Sequence, residues 1–521
     1  MARPRKVPLL IWQLLAAALG GVLAGPALPK AGLWWLIFPA VALIHWSLRP
    51  KRLRHALLLG FVAGFAFYAS QSPWLTTYLG PVPWLALSVL EALIFMVGAL
   101  VSAFIWQRFE RSSLSKRWFG PIVLSLLLAS SWVAREWLAG HWPYGGYQWS
   151  RLAQTQADTV LAKWAYWGGL SAISFAVTFA ATLVLLLLER RRLPKLSSVA
   201  ALLLVVAIPA MTAPTMNSTG RELTVALVQG NANAGLFANP EPGSILAKHL
   251  DVTKKLVEDP KFDSVQLVIW PENASDIDPT SNTFARSTIR TTVDNLLQRD
   301  LLLGAVTQRG PDIYNTTLLY RPAIGLTDWY DKQRPVPFGE YVPDRDLWYS
   351  LAPDLVGLIS HGYSFGSRDG VLETSGTKVG SLICFEIAID DVVNRLVADG
   401  AQLIASQANN SDFGYSEETF QQEALARLQA ISSGRAIAHV STVGVTEFIL
   451  PDGSVAGQVE PFTPDYTIQT VPLNTHLTPA QLVGNWPDTI NIALLVLSLL
   501  LMLRVRRKRL AKPPSDTAST A

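Results

Sequence analysis

Apolar residues are concentrated in eight segments of this chain, and that distribution limits its fold more than any other feature. The segments lie near Leu9–Leu23, Leu33–Leu48, Ala56–Ser70, Val82–Trp106, Phe119–Val133, Ala165–Leu188, Val199–Met211 and Ile490–Leu503. Half of all residues are hydrophobic and only 16% are charged, below the roughly 25% of soluble domains. A spanning helix needs about 20 residues, so the shorter segments must extend into flanking aromatic residues. The pattern predicts a multi-pass α-helical membrane domain with about eight spans.

Basic residues follow every second apolar segment and predict how the chain crosses the membrane. They follow the second, fourth, sixth and last segments at Arg49, Lys51, Arg52, Arg54, Arg108, Arg111, Lys116, Arg117, Arg190, Arg191, Arg192, Lys195, Arg504, Arg506, Arg507, Lys508 and Arg509. The alternate short loops carry few basic residues. Because cytoplasmic loops are enriched in Lys and Arg, both termini are predicted to be cytoplasmic. The first segment also fits a cleaved signal peptide, which would leave the orientation set by the other loops unchanged.

The long stretch between the seventh and eighth spans has the composition of a globular domain. Its strand patterns lie at Leu223–Gln229, Val265–Trp270, Leu302–Thr307, Thr316–Tyr320, Val379–Cys384, Leu403–Ser406 and Ala438–Thr442, and its helical patterns at Ser244–Glu258, Ala285–Gln298, Ala388–Asp399 and Glu417–Ser432. This alternation predicts an α/β domain. The predicted limits are 1–216 for helices 1–7, 217–487 for an extracytoplasmic domain, 488–505 for helix 8 and 506–521 for a cytoplasmic tail. We therefore expect a multi-pass protein of the cell membrane.

The only cysteine, Cys384, ends the apolar run Val379–Cys384 of the globular domain. A single thiol forms no internal disulfide, so it serves either packing or chemistry. Taken alone, packing is favoured, because free cysteine is among the most buried residue types.

Two other segments supply groups that a reactive thiol needs. Val265–Glu272 is a buried-strand pattern that ends in a carboxylate, and Tyr330–Pro343 is a proline-rich loop that carries Lys332 and Glu340. A thiol with a pKa of about 8.5 needs a base, and Glu272 is the candidate. Lys332 and a backbone N–H near Cys384 are candidates to stabilise an oxyanion. Alternatively, Glu272 caps a helix or lies on the surface, and Lys332 is a solvated lysine paired with Asp331.

Four motifs follow one another along this domain: Trp270-Pro-Glu272, Asp331-Lys332, Pro337–Pro343 and Ile383–Glu386. Their order and composition resemble those of the nitrilase superfamily and, more closely, of the apolipoprotein N-acyltransferase family. The resemblance implies a Glu272, Lys332 and Cys384 triad on an α-β-β-α sandwich of the nitrilase type.

The resemblance also implies supporting roles for three further residues. Glu340 is expected close to the lysine and the thiol, and Glu386 near the nucleophile, either as a participant or as a buried structural residue. Phe385 stands where many family members have tyrosine, which puts any role of that hydroxyl in doubt.

The loop 141–149 is expected to face the catalytic domain, or else to be an aromatic interface loop. Glu91 lies within a span, where it would hold a lipid headgroup or pack between helices.

The function implied by the resemblance is acyl transfer in two steps. Cys384 would take an acyl chain from a membrane phospholipid and pass it to the N-terminal amine of a diacylated apolipoprotein. The alternatives are a membrane-tethered amidohydrolase acting on a small substrate, and a non-enzymatic scaffold or transporter. A polyprenol-phosphate mannose synthase is a partner by resemblance only.

Cofactors and nucleic acid are not expected. The histidines lack metal-ligand spacing and one cysteine cannot form a thiolate cluster. The net charge is +4, and the basic residues are concentrated at the ends of the predicted spans. This position indicates that they orient the protein in the membrane, and does not indicate nucleic-acid binding.

Overall fold

The computed structural model describes residues 8–49, 52–189, 196–235, 241–359, 362–493, 495–497 and 500. The first part is helical, with α1 (Leu9–Val22), α2 (Ile37–Ser47), α3 (Leu53–Gln71), α4 (Leu75–Leu79), α5 (Pro81–Glu110), α6 (Gly120–Ala139), α7 (Trp164–Glu189) and α8 (Leu196–Ala210). Short 3-10 helices lie at Trp34–Leu36, Ser113–Lys116, Leu152–Gln156 and Val160–Lys163. Helix α7 breaks at Gly168 and Gly169, where the backbone angles are not helical. Residues 486–493 begin a last apolar helix.

Among the described residues, four helical stretches are long and apolar enough to cross a membrane. They are Leu53–Gln71, Pro81–Glu110, Gly120–Ala139 and Val160–Glu189. By contrast, α1, α2 and α8 contain 14, 11 and 15 residues. At 1.5 Å per residue they are about 17–23 Å long, shorter than the roughly 30 Å of a hydrocarbon core. The apolar segments that are described do form helices, but the predicted count of about eight spans is not confirmed. The tail 506–521 and the end of the eighth predicted span lie outside the described residues.

The described residues of the second part of the chain form two six-stranded sheets. The strands are β1 (Glu222–Gln229), β2 (Leu267–Ile269), β3 (Asp300–Arg309), β4 (Asp312–Arg321), β5 (Gly325–Asp331), β6 (Val371–Thr374), β7 (Thr377–Ile383), β8 (Leu403–Ala408), β9 (Ala436–Ser441), β10 (Thr446–Ile449), β11 (Val455–Val459) and β12 (Asp465–Pro472). The first sheet has the order β12-β1-β2-β3-β4-β5 and the second β11-β10-β9-β8-β7-β6. Parallel pairing links β1, β2 and β3 in one sheet and β7, β8 and β9 in the other.

Helices pack on the outer faces of the two sheets. The first sheet contacts α9 (Ser244–Val257) and the π-helix at Thr292–Leu297 that follows α10 (Thr283–Thr291), and the second contacts α13 (Asp390–Ala398) and α14 (Glu418–Ser433). The other helices of this part are α11 (Arg345–Leu351), α12 (Pro353–Leu358) and α15 (Pro479–Val483). Alternate residues of a strand face opposite sides of its sheet. Accordingly, Val225 of β1 packs with Ala405 of the second sheet, whereas Val228 shares a core with Leu246 of α9. The predicted α-β-β-α sandwich is confirmed.

The helical part and the sandwich share one continuous apolar core. Leu425 and Leu428 of α14 lie in the same buried cluster as Leu170 and Ile173 of α7. Helix α14 therefore packs on the second sheet on one side and on the membrane helices on the other.

The seven predicted strands and four predicted helices of the domain are confirmed, with shifts of a few residues at their ends. Five strands were missed: β5, β6, β10, β11 and β12. Both β6 and β10 contain only four residues, and β5 and β12 include charged residues, so neither a buried run nor a clean alternation marks them. One consequence is that Lys332 directly follows a strand instead of lying within a long loop.

Candidate active site

Glu272 lies just beyond β2, where the chain runs close against β3. The backbone N–H of Gly304 donates to the carbonyl of Pro271 over 3.1 Å. A Cβ at Gly304 would lie 2.4 Å from the Pro271 oxygen and 2.6 Å from Cα of Glu272. Glycine is therefore required at 304, because it lets the segment that carries Glu272 lie directly on the neighbouring strand.

Lys332 follows β5 and is held by backbone contacts on both sides. Its N–H donates to the Asn315 carbonyl over 2.9 Å, and its carbonyl accepts from Gly366 N–H over 2.8 Å. The residue is 1% exposed. Asp331 pairs with Arg309 rather than with the lysine. The interpretation of Lys332 as a solvated loop residue is therefore wrong.

Cys384 stands at the junction between β7 and a short 3-10 helix, Cys384–Ala388. Its φ of 54° lies in the left-handed region, a conformation that costs a residue other than glycine about 1–3 kcal/mol. The residue is partly buried and packs against the core between the sheets. The sharp turn presents its side chain at the end of the strand, beside the segments that carry Glu272 and Lys332.

Lys332 and Asn315 bind the same pair of carboxylates. The Lys332 Nζ lies 2.9 Å from Glu340 Oε1 and 3.7 Å from Glu272 Oε1. The Asn315 Nδ2 donates to Glu272 Oε1 over 2.6 Å and to Glu340 Oε1 over 3.2 Å. Glu272 also interacts with the Cys384 side chain through a hydrogen bond, and its buried Oε2 has no other partner within the described part of the chain. The carboxylate is therefore placed to accept the thiol proton.

Burial and the neighbouring charges set the protonation of these groups. Burial raises the pKa of Glu272 to about 7, although the Lys332 charge opposes the rise. Burial alone would lower the pKa of Lys332, but Glu340 and Glu272 outweigh it and raise this pKa, so the ammonium is retained. Burial and the Glu272 charge raise the pKa of Cys384 well above its usual value. The resting thiol is therefore protonated and needs a base to become a nucleophile.

Glu340 contacts Lys332 directly, as expected from the resemblance. A tight turn holds it, because Glu340 N–H donates to the Val336 carbonyl over 2.8 Å and Val336 N–H donates to Glu340 Oε2 over 2.7 Å. Its carboxylate helps keep the ammonium charged and beside Glu272.

Glu386 is fully buried and joins the cysteine turn to the lysine loop. Its Oε1 accepts hydrogen bonds from Tyr330 OH (2.9 Å), Gln333 N (2.8 Å) and Arg334 N (3.1 Å). Its Oε2 accepts from Ile383 N over 3.0 Å. None of these contacts is with the thiol or the ammonium, which favours a positioning role over direct participation.

Glu386→Gln should lower the melting temperature of the purified protein. A glutamine presents an NH2 group to at least one of these four donors, and a buried polar group without a partner costs about 1–3 kcal/mol. Tyr330→Phe removes a single donor and should cost less, about 1 kcal/mol. Thermal unfolding in detergent compares the two variants with the native protein. An unchanged melting temperature for Glu386→Gln would contradict the positioning role.

Phe385 points to the helical part of the protein rather than to the lysine. Its ring stacks on Trp149 with centroids 6.1 Å apart and an angle of 11° between planes. Trp149 Nε1 donates to Gln421 Oε1 over 2.7 Å, and Trp74 Nε1 donates to the same oxygen over 3.2 Å. The end of the loop 141–149 thus contacts the domain that carries the thiol.

Glu91 is 1% exposed and lies between helices rather than facing lipid. It hydrogen bonds with Tyr68, whose hydroxyl accepts from Arg135 Nη1 over 2.6 Å. These contacts favour the packing interpretation of Glu91 over the lipid-headgroup interpretation.

Asn315, which donates to both carboxylates, was not predicted as a site residue. It directly precedes the predicted strand Thr316–Tyr320 and lies within β4, so the only signal was an amide side chain beside a buried strand pattern. Among the described residues, no group of three or more His, Cys, Asp or Glu side chains is arranged to hold a metal ion.

Comparison with known proteins covers both parts of the chain. Residues 20–183 match the model of the apolipoprotein N-acyltransferase N-terminal domain, and residues 224–476 match that of carbon-nitrogen hydrolases. The apolipoprotein N-acyltransferase of Mycolicibacterium smegmatis is 32% identical over 526 residues, which cover 94% of this chain and 84% of that protein. This chain belongs to the apolipoprotein N-acyltransferase family.

A second relative and a solved structure are also similar to this chain. The apolipoprotein N-acyltransferase of Pseudomonas putida is 28% identical over 490 residues, covering 90% of this chain and 93% of that protein. Among solved structures, an amidase from Nesterenkonia sp. has a TM-score of 0.36 and 18% identity, covering 50% of this chain and 93% of that one. Together with the four long apolar helices, membership of the apolipoprotein N-acyltransferase family identifies a membrane protein.

Proposed function

We propose that this chain transfers an acyl chain from a membrane phospholipid, through a thioester on Cys384, to the N-terminal amine of a diacylated apolipoprotein. The observation that carries the proposal is the buried contact of Lys332 with Glu272 and Glu340, next to a protonated thiol, in a member of this family. Glu272 is the base, Lys332 the electrostatic stabiliser and Cys384 the nucleophile.

In the first half-reaction, the Cys384 sulfur attacks the ester carbonyl carbon of the phospholipid while Glu272 takes the thiol proton. The negative charge that develops on the carbonyl oxygen is stabilised by Lys332 and by the N–H of Phe385. That N–H lies in the first turn of a 3-10 helix, where N–H groups have no intrahelical acceptor. The carbon–oxygen bond then breaks, and Glu272 returns the proton to the departing lysophospholipid alcohol.

In the second half-reaction, the acceptor amine attacks the thioester. An α-amine has a pKa of about 7.7–8.0, so a fraction is neutral near pH 7. Glu272 accepts a proton from the attacking nitrogen and passes it to the sulfur as the carbon–sulfur bond breaks. The products are an N-acylated lipoprotein and the free thiol.

Membrane attachment gives this chemistry a physical advantage. Donor and acceptor are both lipid anchored, so a thioester held at the bilayer surface meets each without extracting it, and the two reactants are confined to one plane.

We also propose the sidedness that the basic loops favour, with the catalytic domain 217–487 outside, spans 1–7 within 1–216, helix 8 at 488–505 and both termini cytoplasmic.

The second candidate, a membrane-tethered amidohydrolase, is not favoured. Its membrane helices would be dispensable, yet the similarity to apolipoprotein N-acyltransferases includes the N-terminal domain at 20–183. The shared core of α7 and α14 also makes the helices part of the domain's packing.

Acylation of Cys384 should slow as the pH falls below about 7. Burial raises the pKa of Glu272 to about 7, and only the ionised carboxylate can take the thiol proton. Below that pH the ionised fraction falls about tenfold per unit, and we expect the single-turnover rate to follow it. Quenched mixing of enzyme with labelled phospholipid at a series of pH values measures this. A rate that does not change across neutral pH would contradict the assignment of the base.

The experiment that tests the proposed function uses purified full-length protein and labelled phospholipid without acceptor. Intact mass and peptide mapping should show a hydroxylamine-sensitive acyl group on Cys384, absent in Cys384→Ala. A diacylglyceryl-cysteine peptide should then discharge it with transfer of the label. Failure of several phospholipids to acylate folded protein would overturn the donor assignment, and release of free fatty acid without transfer would favour the amidohydrolase.

A further inference from the structure

A glutamine that the reaction scheme does not use makes a hydrogen bond to the nucleophile. The Nε2 of Gln422, on α14, donates to Cys384 Sγ over 3.6 Å. Gln422 is fully buried, and its contact differs from those of Glu272 and Lys332 because it supplies a neutral donor to the sulfur itself. A donor to sulfur favours the thiolate over the thiol.

A chain of hydrogen bonds fixes which end of the Gln422 amide faces the sulfur. Gln422 Oε1 accepts from Asn410 Nδ2 over 2.9 Å, so its NH2 group is the end left for Cys384. Asn410 Nδ2 also donates to Glu418 Oε2 over 2.7 Å, and Asn410 Oδ1 accepts from Ser441 Oγ. An amide oxygen accepts and an amide nitrogen donates, so flipping either amide would set like groups against each other.

Helix geometry and burial make this arrangement rigid. Glu418 and Gln422 are four residues apart on α14, and therefore on the same face of the helix. Asn410, Glu418 and Gln422 are each no more than 2% exposed, so water does not compete for their hydrogen bonds. Buried polar networks whose members are satisfied hold their side chains in one arrangement.

We propose that Gln422 is a catalytic hydrogen-bond donor to the Cys384 sulfur, and that Asn410 and Glu418 are positioning residues that orient it. The proposal deepens the proposed function and rests on it for the identity of the two half-reactions. Gln422 transfers no proton. It stabilises the sulfur as the S–H proton leaves for Glu272 and the S–C bond forms, and again as that bond breaks and its electron pair returns to sulfur.

This role is distinct from that of Lys332, which serves the carbonyl oxygen. The titratable groups that act on the thiol are Glu272, Lys332, Glu418 and Glu340, and the three glutamates disfavour a thiolate when they are ionised. Burial raises the pKa of Glu418 to about 8, so this carboxyl is mostly neutral near pH 7. A neutral donor lowers the cost of the thiolate without adding a charge that would perturb Glu272. Both half-reactions pass through a sulfur with developing charge, so both should depend on Gln422.

The test is alkylation of the thiol in full-length Gln422→Met. Iodoacetamide reacts with the thiolate and needs no lipid, and intact mass reports its addition to the only cysteine. A hydrogen bond to a charged group changes an equilibrium constant or a rate by roughly tenfold to hundredfold. We expect the pH midpoint of alkylation to rise by about one unit or more, and acylation and discharge each to slow about tenfold or more. Gln422→Glu, which places a carboxylate there, should shift the midpoint further.

Gln429→Leu is the matched control for loss of a buried amide on the same helix. Gln429 donates to Asp390 over 2.8 Å and not to the thiol, so its variant should alkylate with the native pH profile. If Gln422→Met does not fold, Asn410→Leu frees the Gln422 amide to rotate and should give a smaller shift in the same direction. A native profile in a folded Gln422 or Asn410 variant overturns the proposal.

The same data separate this proposal from the proposed function. If Gln422→Met shifts the alkylation profile but phospholipid does not acylate the native protein, Gln422 is a hydrogen-bond donor to the sulfur and phospholipid is not the acyl donor. If phospholipid acylates the native protein normally and Gln422→Met behaves like it, the proposed function stands and the role of Gln422 is overturned.

Discussion

Glu272→Gln should slow thioester formation on Cys384 by roughly 10²–10⁴-fold, the usual contribution of a general base. Glutamine has the same shape and can still accept the hydrogen bond that Asn315 now donates over 2.6 Å. It cannot take the thiol proton, and the pKa of the thiol is already raised by burial. The loss should therefore appear in the chemical step, with little change in folding. Single-turnover acylation at saturating phospholipid measures it.

Glu447→Gln is the control for this variant. Glu447 is also a buried carboxyl of the same domain, 2% exposed, and burial raises its pKa to about 9. It is therefore neutral near pH 7, and its amide variant should retain near-native acylation. The acid limb of the pH profile near 7 should also disappear in Glu272→Gln. If that variant acylates as fast as the native protein, the base lies elsewhere.

Lys332→Met should abolish measurable turnover and destabilise the protein. Loss of the ammonium removes an oxyanion stabiliser, worth about 10²–10³-fold in rate. It also leaves Glu272 and Glu340 facing each other without their shared cation, and removing one partner of a buried ion pair costs about 3–5 kcal/mol. The pKa of Glu272 should rise further, because the Lys332 charge now holds it down. Melting temperature and single-turnover rate are both needed to separate these effects.

The double variant Lys332→Met with Glu340→Gln distinguishes catalysis from stability. It removes one of the two facing carboxylates, so much of the lost melting temperature should return. Turnover should stay low because no cation remains near the carbonyl oxygen. Recovery of turnover together with stability would mean that Lys332 serves only to hold the site together.

The sequence predicted the strands that end near Glu272 and at Cys384, because both are short runs of apolar residues whose length is typical of a strand. It did not predict β5, whose two aspartates interrupt the apolar pattern, and so it assigned Lys332 to a loop. The motifs still named the lysine, since their order along the chain does not depend on which element carries them.

Long-range polar contacts were beyond sequence reasoning. Asn315 and Glu272 are 43 residues apart, and Gln422 and Cys384 are 38 apart. A buried amide leaves no periodic signal, and its partner is decided only when the strands and helices pack. The predicted number of spans is not confirmed for a related reason, because an apolar run indicates a helix but its final length depends on where the chain turns.

The continuous core between α7 and α14 has a consequence for anyone who wishes to work with a soluble enzyme. A fragment that starts near residue 217 would expose the face of α14 that now packs on Leu170 and Ile173, and it would strip the Trp74 and Trp149 partners from Gln421. Large exposed apolar patches promote aggregation. The neighbouring Gln422 would lose the packing of α14 that keeps its amide within hydrogen-bond distance of the Cys384 thiol. Solubilisation by truncation is thus the wrong strategy, and detergent or nanodisc preparations of the whole chain are the right one.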